Sequence, residues 1–270
     1  MNPFRHLLKA SGAAPALGTW ILSAHPLVAE AMGHAGFEWG VVDMEHAPAD
    51  LGTVVGMLQA LASTKLVPVV RVPWNEPVMV KRVLDAGAQT VMFPFVQTAD
   101  EARAAVAATR YPPAGVRGMV GVSRATRFGT LPHWVQAADR SVGVIVQIES
   151  RAAVEALESI AAVPGVDALF VGPADLSASI GLAGEVAAPA VLDLMGRAVA
   201  AARRAGKPIG AIGDHPQAVA QYRAMGFDFL AIGSDLGLLM RAAQQAIGAL
   251  RTPTAEHVHT LAAGTHPPGS

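Results

Sequence analysis

The stretch VVDMEHAPAD, residues 41–50, places Asp43, Glu45 and His46 at the end of an apolar run. Only 15% of the 270 residues are charged, so three ionisable groups in four positions is a concentration of chemistry. A carboxylate beside an imidazole is a proton-transfer pair, because the acid fixes the imidazole tautomer and raises its basicity. Asp43 is the expected partner of His46, and the plainer alternative is a helix-entry histidine bonded to backbone. Three further apolar runs end in functional groups. LVPVVRV carries Arg71, VGVIVQIE carries Gln147 and Glu149, and DALFVG runs into GPAD with Asp175.

Gln147 and Glu149 are two apart, so on a strand they share a face. A Gln and a Glu on a buried face are costly unless paired or bound to something. If the strands bearing Glu149 and Asp175 are neighbours about 4.8 Å apart, both carboxylates can point at one spot. Close carboxylates repel unless a cation lies between them. A hard divalent metal with oxygen ligands, leaving positions for water or substrate, satisfies that arrangement. The alternative is that Glu149 pairs with Arg71 while Asp175 caps a helix starting at Leu176. Arg71 suits a substrate carboxylate, a developing oxyanion or a structural counter-ion role. Schiff-base chemistry is not expected. The four lysines are Lys9, Lys65, Lys81 and Lys207, and none follows a strand.

The elements that must carry these groups alternate along the chain. Apolar, β-rich runs at 17–23, 37–44, 66–72, 90–96, 142–149, 167–172, 207–213 and 227–233 alternate with helical patterns. Those helices are expected near 26–35, 50–63, 76–86, 98–109, 151–160, 175–181 with 188–205, 215–225 and 235–250. Nearly uninterrupted apolar strands indicate parallel strands covered on both faces. Eight βα repeats predict a closed (β/α)8 (TIM) barrel, with an open doubly wound sheet as the alternative. In such a barrel the strand C-termini form the mouth where chemistry is done. Gly-rich turns at 210–216 and 231–237 follow strands seven and eight, where backbone amides bind phosphate in some barrels.

Residues 1–251 read as one domain, interrupted by a Gly/Pro/Arg-rich insertion at 110–141 that suits a lid or an assembly element. Residues 252–270 read as a flexible tail, in which His257 and His259 are a weak metal pair. The formal charge is −1 with no basic stripe, so nucleic acid is not an expected partner. No apolar run is long enough for a membrane span. The uncharged residues 11–29 contain Gly12, Pro15, Gly18 and Pro26, and so read as a strand and a helix start rather than a signal peptide. With no cysteine, a cytoplasmic protein is expected.

Six segments together are similar to the HpcH/HpaI aldolase family of metal-dependent class II pyruvate aldolases: VVDMEHAPAD, PVVRVPWNEP, VLDAGAQTVMFPFVQTADEA, GVRGMVGVSRATRFG, VIVQIESRAAVE and VDALFVGPADLSASIG. The similarity runs from about residue 4 to 250. It implies a modified (β/α)8 barrel whose C-terminal helix exchanges between subunits, in a homo-oligomer built as a trimer of dimers. It implies that Glu149 and Asp175 hold Mg2+, Mn2+ or Co2+, and that Gln147 and the backbone of Ala174 and Asp175 assist pyruvate binding. His46 matches the family base, Arg71 the charge-stabilising arginine, and Asp85 an acid that tunes the histidine, with Asp43 joining it. Trp20, Ile212 and residues 115–130 are expected to border the aldehyde pocket. A citrate-lyase-β or malyl-CoA-type acyl-CoA lyase, with Arg117, Arg124 and Arg127 gripping a phosphate or making subunit contacts, is the catalytic alternative. A non-catalytic metabolite-binding barrel is the other.

Overall fold

The computed structural model describes residues 2–12 and 14–251. Eight parallel strands close in sequence order into a barrel. They are β1 (Ala16–Ile21), β2 (Trp39–Asp43), β3 (Val67–Arg71), β4 (Thr90–Phe93), β5 (Gly143–Ile148), β6 (Ala168–Val171), β7 (Ile209–Gly213) and β8 (Phe229–Ser234). The closed barrel, not the open sheet, is the architecture. The first helix, α1 (Pro3–Ala10), precedes β1. Then come α2 (Pro26–His34), α3 (Leu51–Leu61), α4 (Pro77–Asp85) and α5 (Ala99–Ala108), each between successive strands. After the insertion, α6 (Trp134–Ser141) leads into β5, and α7 (Arg151–Glu155) and α8 (Leu157–Ala161) follow it. The chain continues with α9 (Pro173–Ala178), α10 (Pro189–Arg204), α11 (Pro216–Met225) and α12 (Asp235–Arg251).

By compactness the chain divides into units 1–235 and 236–270, and the described part of the second is the remainder of α12. The tail with His257 and His259 lies outside the described residues. No helix among the described residues is long and apolar enough to cross a membrane.

The alternation of side chains along each strand sorts the apolar residues into two cores. Outward-facing Val42, Val70, Val91, Val146 and Leu169 pack under the helices. Inward-facing Trp20, Trp39, Val69, Met92, Phe170 and Phe229 fill the barrel. Gly18 and Gly210 make room for this aromatic filling, since a Cβ at either would fall 2.3 or 2.4 Å from the Trp39 or Phe229 ring. Continued upward, the inward series becomes polar: Trp39–Val41–Asp43, Val67–Val69–Arg71 and Ile145–Gln147–Glu149. Register pairs Asp43 with Arg71 across β2 and β3.

Short turns then join strand ends to capped helices, so the polar residues stand on fixed backbone. Asp50 caps α3, Glu76 caps α4, and Ser150, next to Glu149, caps α7. Each cap satisfies N–H groups that a helix start leaves open.

Several expected elements differ. Helix α1 was not anticipated. It closes the N-terminal end of the barrel, with Phe4 edge-on to Trp39 and Phe229 at 6.0 and 5.3 Å. Asn2 donates there to the Gln89 and Ser141 carbonyls ahead of β4 and β5. The expected helix over 151–160 is two short helices broken at Ala156. The helix after β6 starts at Pro173, not Leu176, so Asp175 lies inside its first turn and is not its cap. Strand β4 stops at Phe93, because Pro94 offers no N–H and Phe95 turns left-handed at φ +53°.

Truncating a fully buried phenylalanine costs about 3–5 kcal/mol. Phe4→Ala is therefore expected to lower the unfolding free energy by that much, read as a lower urea midpoint at unchanged slope. A shift equivalent to less than about 1 kcal/mol would show that α1 is not part of the barrel core.

Candidate active site

At the C-terminal mouth, Arg71 is the hub. Its Nε and Nη2 donate to the two oxygens of Asp43 at 2.9 and 2.6 Å, a bidentate pair. Asp43 is fully buried and also accepts from the Glu45 N–H at 2.9 Å. Arg71 Nη1 lies 2.8 Å from Glu45 Oε2, an ion pair whose angles fall outside hydrogen-bond geometry, leaving that oxygen without an aligned donor. The guanidinium sits 5.6 Å from the Trp20 ring centroid, so Trp20 floors this part of the mouth. Burial alone would make Arg71 easier to deprotonate, but Asp43, Glu45 and Glu149 together raise its pKa. Arg71 is thus a permanent cation.

Glu149 is the opposite case. It is 4% exposed, and its oxygens are held by neutral amides. Oε1 accepts from Gln147 Nε2 and Oε2 from the Phe95 backbone N–H, both at 2.8 Å. Burial raises its pKa to about 7; the Phe95 N–H opposes this, Asp175 and Glu45 add to it, and Arg71 relieves part. The Glu45 pKa is also raised, first by burial, against the pull of Arg71 and His46. Gly172, one residue past β6, leaves the space that Glu149 fills, since a Cβ there would lie 2.4 Å from Oε1.

The expected site residues are only partly brought together as foreseen. Asp43, Arg71, Gln147 and Glu149 converge on the inner face, and Asp175, exposed in the first turn of α9, is close enough to act on both Glu149 and Glu45. Ala174 precedes it, its carbonyl taken by Ser177 Oγ at 2.6 Å. Ile212 lies partly buried on β7 against the barrel core. His46 is 64% exposed, and its acidic neighbour is Glu45, with Nε2 3.9 Å from Oε2. Asp43 is committed to Arg71 and does not hold His46, because cross-strand register sets it opposite the arginine.

Asp85 does not reach His46 within this chain either. It ends α4, at the N-terminal end of the barrel, and pairs with Arg117 at 2.8 Å. The insertion is anchored at that same end: Arg124 donates to the Ala86 and Leu58 carbonyls at 3.2 and 3.4 Å. Arg117 and Arg124 therefore hold helix ends and do not border the mouth of their own barrel. Gly172, Phe95 and the counter-ion role of Glu45 were missed. Register could have found Gly172, the inward position opposite Glu149.

The donor set suits a hard cation in an open site. Among the described residues, no group of three or more His, Cys, Asp or Glu side chains could cage a metal. Glu149 and Asp175 are nonetheless oxygen donors, and the buried Gln147 Oε1 beside them has no partner. Two carboxylates and an amide oxygen leave several coordination positions for water or a chelating ligand.

A raised acid pKa stabilises the fold while the proton is bound, and that contribution is lost as pH rises from the unfolded value of 4.5 through about 7. In EDTA, Glu149→Gln, which stays neutral, is therefore expected to gain stability on the wild type between pH 5 and 8. The gain should be on the order of 3 kcal/mol by urea unfolding. An equal difference at both pH values would contradict the burial argument.

Residues 16–242 match the HpcH/HpaI aldolase/citrate lyase family. The chain is 46% identical over 235 residues to a 2-dehydro-3,6-dideoxy-6-sulfogluconate aldolase of Pseudomonas putida, covering 87% of this chain and 92% of that one. It is 45% identical over 244 residues to a 4-hydroxy-2-oxo-heptane-1,7-dioate aldolase of Salmonella dublin, covering 90% and 92%. A crystal structure of a HpcH/HpaI aldolase/citrate lyase family protein from Burkholderia cenocepacia superposes with a TM-score of 0.90 at 43% identity, covering 93% of this chain and all of that one. With a buried glutamate, a carboxylate-held arginine and an exposed histidine at one barrel mouth, this chain belongs to the HpcH/HpaI aldolase/citrate lyase family.

Proposed function

We propose that this chain is a carbon–carbon lyase that reversibly cleaves 4-hydroxy-2-oxo acids to pyruvate, or a close 2-oxo acid, and an aldehyde. One observation carries the reading: a carboxylate buried among neutral amides shares the barrel mouth with an arginine, and Glu45 links that arginine to a histidine. Glu149 and Asp175 would hold a divalent cation, Mg2+, Mn2+ or Co2+, with Gln147 Oε1 alongside. When bound, that ion supplies Lewis-acid polarisation of a 2-keto group.

The chain's own groups do the rest. The Ala174 and Asp175 N–H groups, in the first turn of α9, have no intrahelical acceptors and can receive a substrate carboxylate. His46 accepts the proton of the 4-hydroxyl. As it does, the C3–C4 bond breaks, its electron pair forms the C2–C3 double bond, the C2=O π pair moves onto the keto oxygen to give the enolate, and the aldehyde leaves. Return of the proton from His46 to C3 completes the 2-oxo acid. Arg71 keeps N–H donors on Nη1 and Nη2 beyond its two bonds to Asp43, and these offset charge on the enolate or departing carbonyl oxygen. Glu45, between Arg71 and His46, steadies the imidazolium once the proton has moved. Trp20 and Ile212 supply apolar walls. The acyl-CoA alternative loses two of its three candidate phosphate contacts, because Arg117 and Arg124 are engaged at the far end of the barrel.

The deciding assay combines pyruvate with an aldehyde panel and divalent ions, with and without EDTA. Activity is expected to need the ion and to fall about 100-fold or more in His46→Ala, Arg71→Ala and Glu149→Ala. Undiminished variants, or saturation by a CoA ester in place of free pyruvate, would sink the reading.

The enzyme is further proposed to be a cytoplasmic homo-oligomer, a trimer of dimers with α12 exchanged between subunits. Exposed Val116, Met119, Val122 and Phe128 on the insertion, and Leu239, Met240 and Leu250 on α12, are the apolar surface that supports this. Sedimentation should give six times the 27.8 kDa chain mass. A monomer at micromolar concentration would refute the assembly.

A further inference from the structure

The turn after β4 contains a feature the proposed reaction does not use directly. Phe95 has φ +53°, a left-handed conformation that costs any residue with a Cβ energy glycine would not pay. Its ring stacks on Trp74, with centroids 6.3 Å apart and planes 26° from parallel. Neither ring belongs to a core: Trp74 is 56% exposed and Phe95 38%. An exposed aromatic pair on a strained backbone gains little from burial, so its contribution lies in what the backbone does. There the Phe95 N–H donates to Glu149 Oε2 at 2.8 Å.

The segment is anchored on both sides. Val96 N–H donates to the Gln147 carbonyl at 3.2 Å, tying the turn to the end of β5. Asn75 Nδ2 donates to the Glu101 carbonyl at 3.0 Å, tying the Trp74 turn to α5. Between these anchors, the Phe95 ring meets Trp74. Gln147 holds the other carboxylate oxygen, and Gly172 leaves the space it occupies.

We propose that Phe95 is a positioning residue for Glu149, its left-handed N–H held on the carboxylate by stacking against Trp74. The pair selects one orientation of Glu149 before any ligand arrives, and its influence on the reaction runs through the bound cation. This rests on the reading of Glu149 as a metal-holding carboxylate.

The test is Mn2+ affinity of the full-length protein without substrate, read from the free-ion paramagnetic resonance signal. Trp74→Ala and Phe95→Leu, which remove the stack, are expected to bind Mn2+ about tenfold more weakly, the scale set by losing a group that orients a metal ligand. Trp74→Phe, which can still stack, should stay within about twofold of wild type. The urea midpoints of all three should stay close to the wild type, since Trp74 is more than half exposed and Phe95→Leu keeps an apolar side chain at a partly exposed position. A wild type that takes up no Mn2+ would overturn the metal reading of Glu149 and this inference with it. A wild type that binds, with Trp74→Ala and Phe95→Leu binding equally well, would overturn the positioning role alone.

Discussion

A carboxylate buried without a cation in contact is the constraint around which this mouth is organised. Glu149 is costly to ionise where it stands, and the chain meets the cost with two amide donors and, among the described residues, no charged group bonded to it. The surrounding choices follow from that. Position 172 must be glycine to admit the carboxylate, Phe95 must turn left-handed to offer its N–H, and Gln147 must spend its amide nitrogen and leave its oxygen unused. Asp175 and Glu45 add negative charge nearby, so the site is tuned to receive positive charge.

Arg71 answers a different need. Its charge is fixed by Asp43, directly across the β2–β3 ladder, and shared with Glu45. Because Asp43 is spent on Arg71, the exposed His46 has Glu45 as its acidic neighbour, and in the proposed reaction it is His46 that takes the proton. One inward series on three strands thus gives two environments: an arginine neutralised by carboxylates, and a carboxylate bonded only to neutral amides, which the proposed reaction uses to oppose developing charge and to hold a cation. At the N-terminal end of the barrel, Phe4 plugs the aromatic interior and Arg117 and Arg124 pin the insertion to helix ends.

Much of this was legible in the sequence, because it depends on period and order. Eight apolar runs with helical intervals allow few topologies. The two-residue spacing of Gln147 and Glu149 put both on one face. What escaped depends on register between distant segments. Nothing local says that Asp43 lies opposite Arg71, or that Asp85, at a helix C-terminus, lies within its own chain at the other end of the barrel from His46. Helix α1 carries no repeat signal in its eight residues ahead of the first strand; the Asn2 cap and Phe4 against Trp39 and Phe229 explain it. The short helices at 151–161 and 173–178 blurred because their periodicity spans barely a turn or two.

The central claim is that Glu149 and Asp175 share one cation within reach of His46 and Arg71. Anomalous scattering at the manganese edge, from crystals grown with Mn2+ and pyruvate, tests it most directly. The account requires one strong peak between the Glu149 and Asp175 carboxylates, with pyruvate against it and facing Arg71. A peak elsewhere on the barrel, or none while pyruvate is bound, would contradict it.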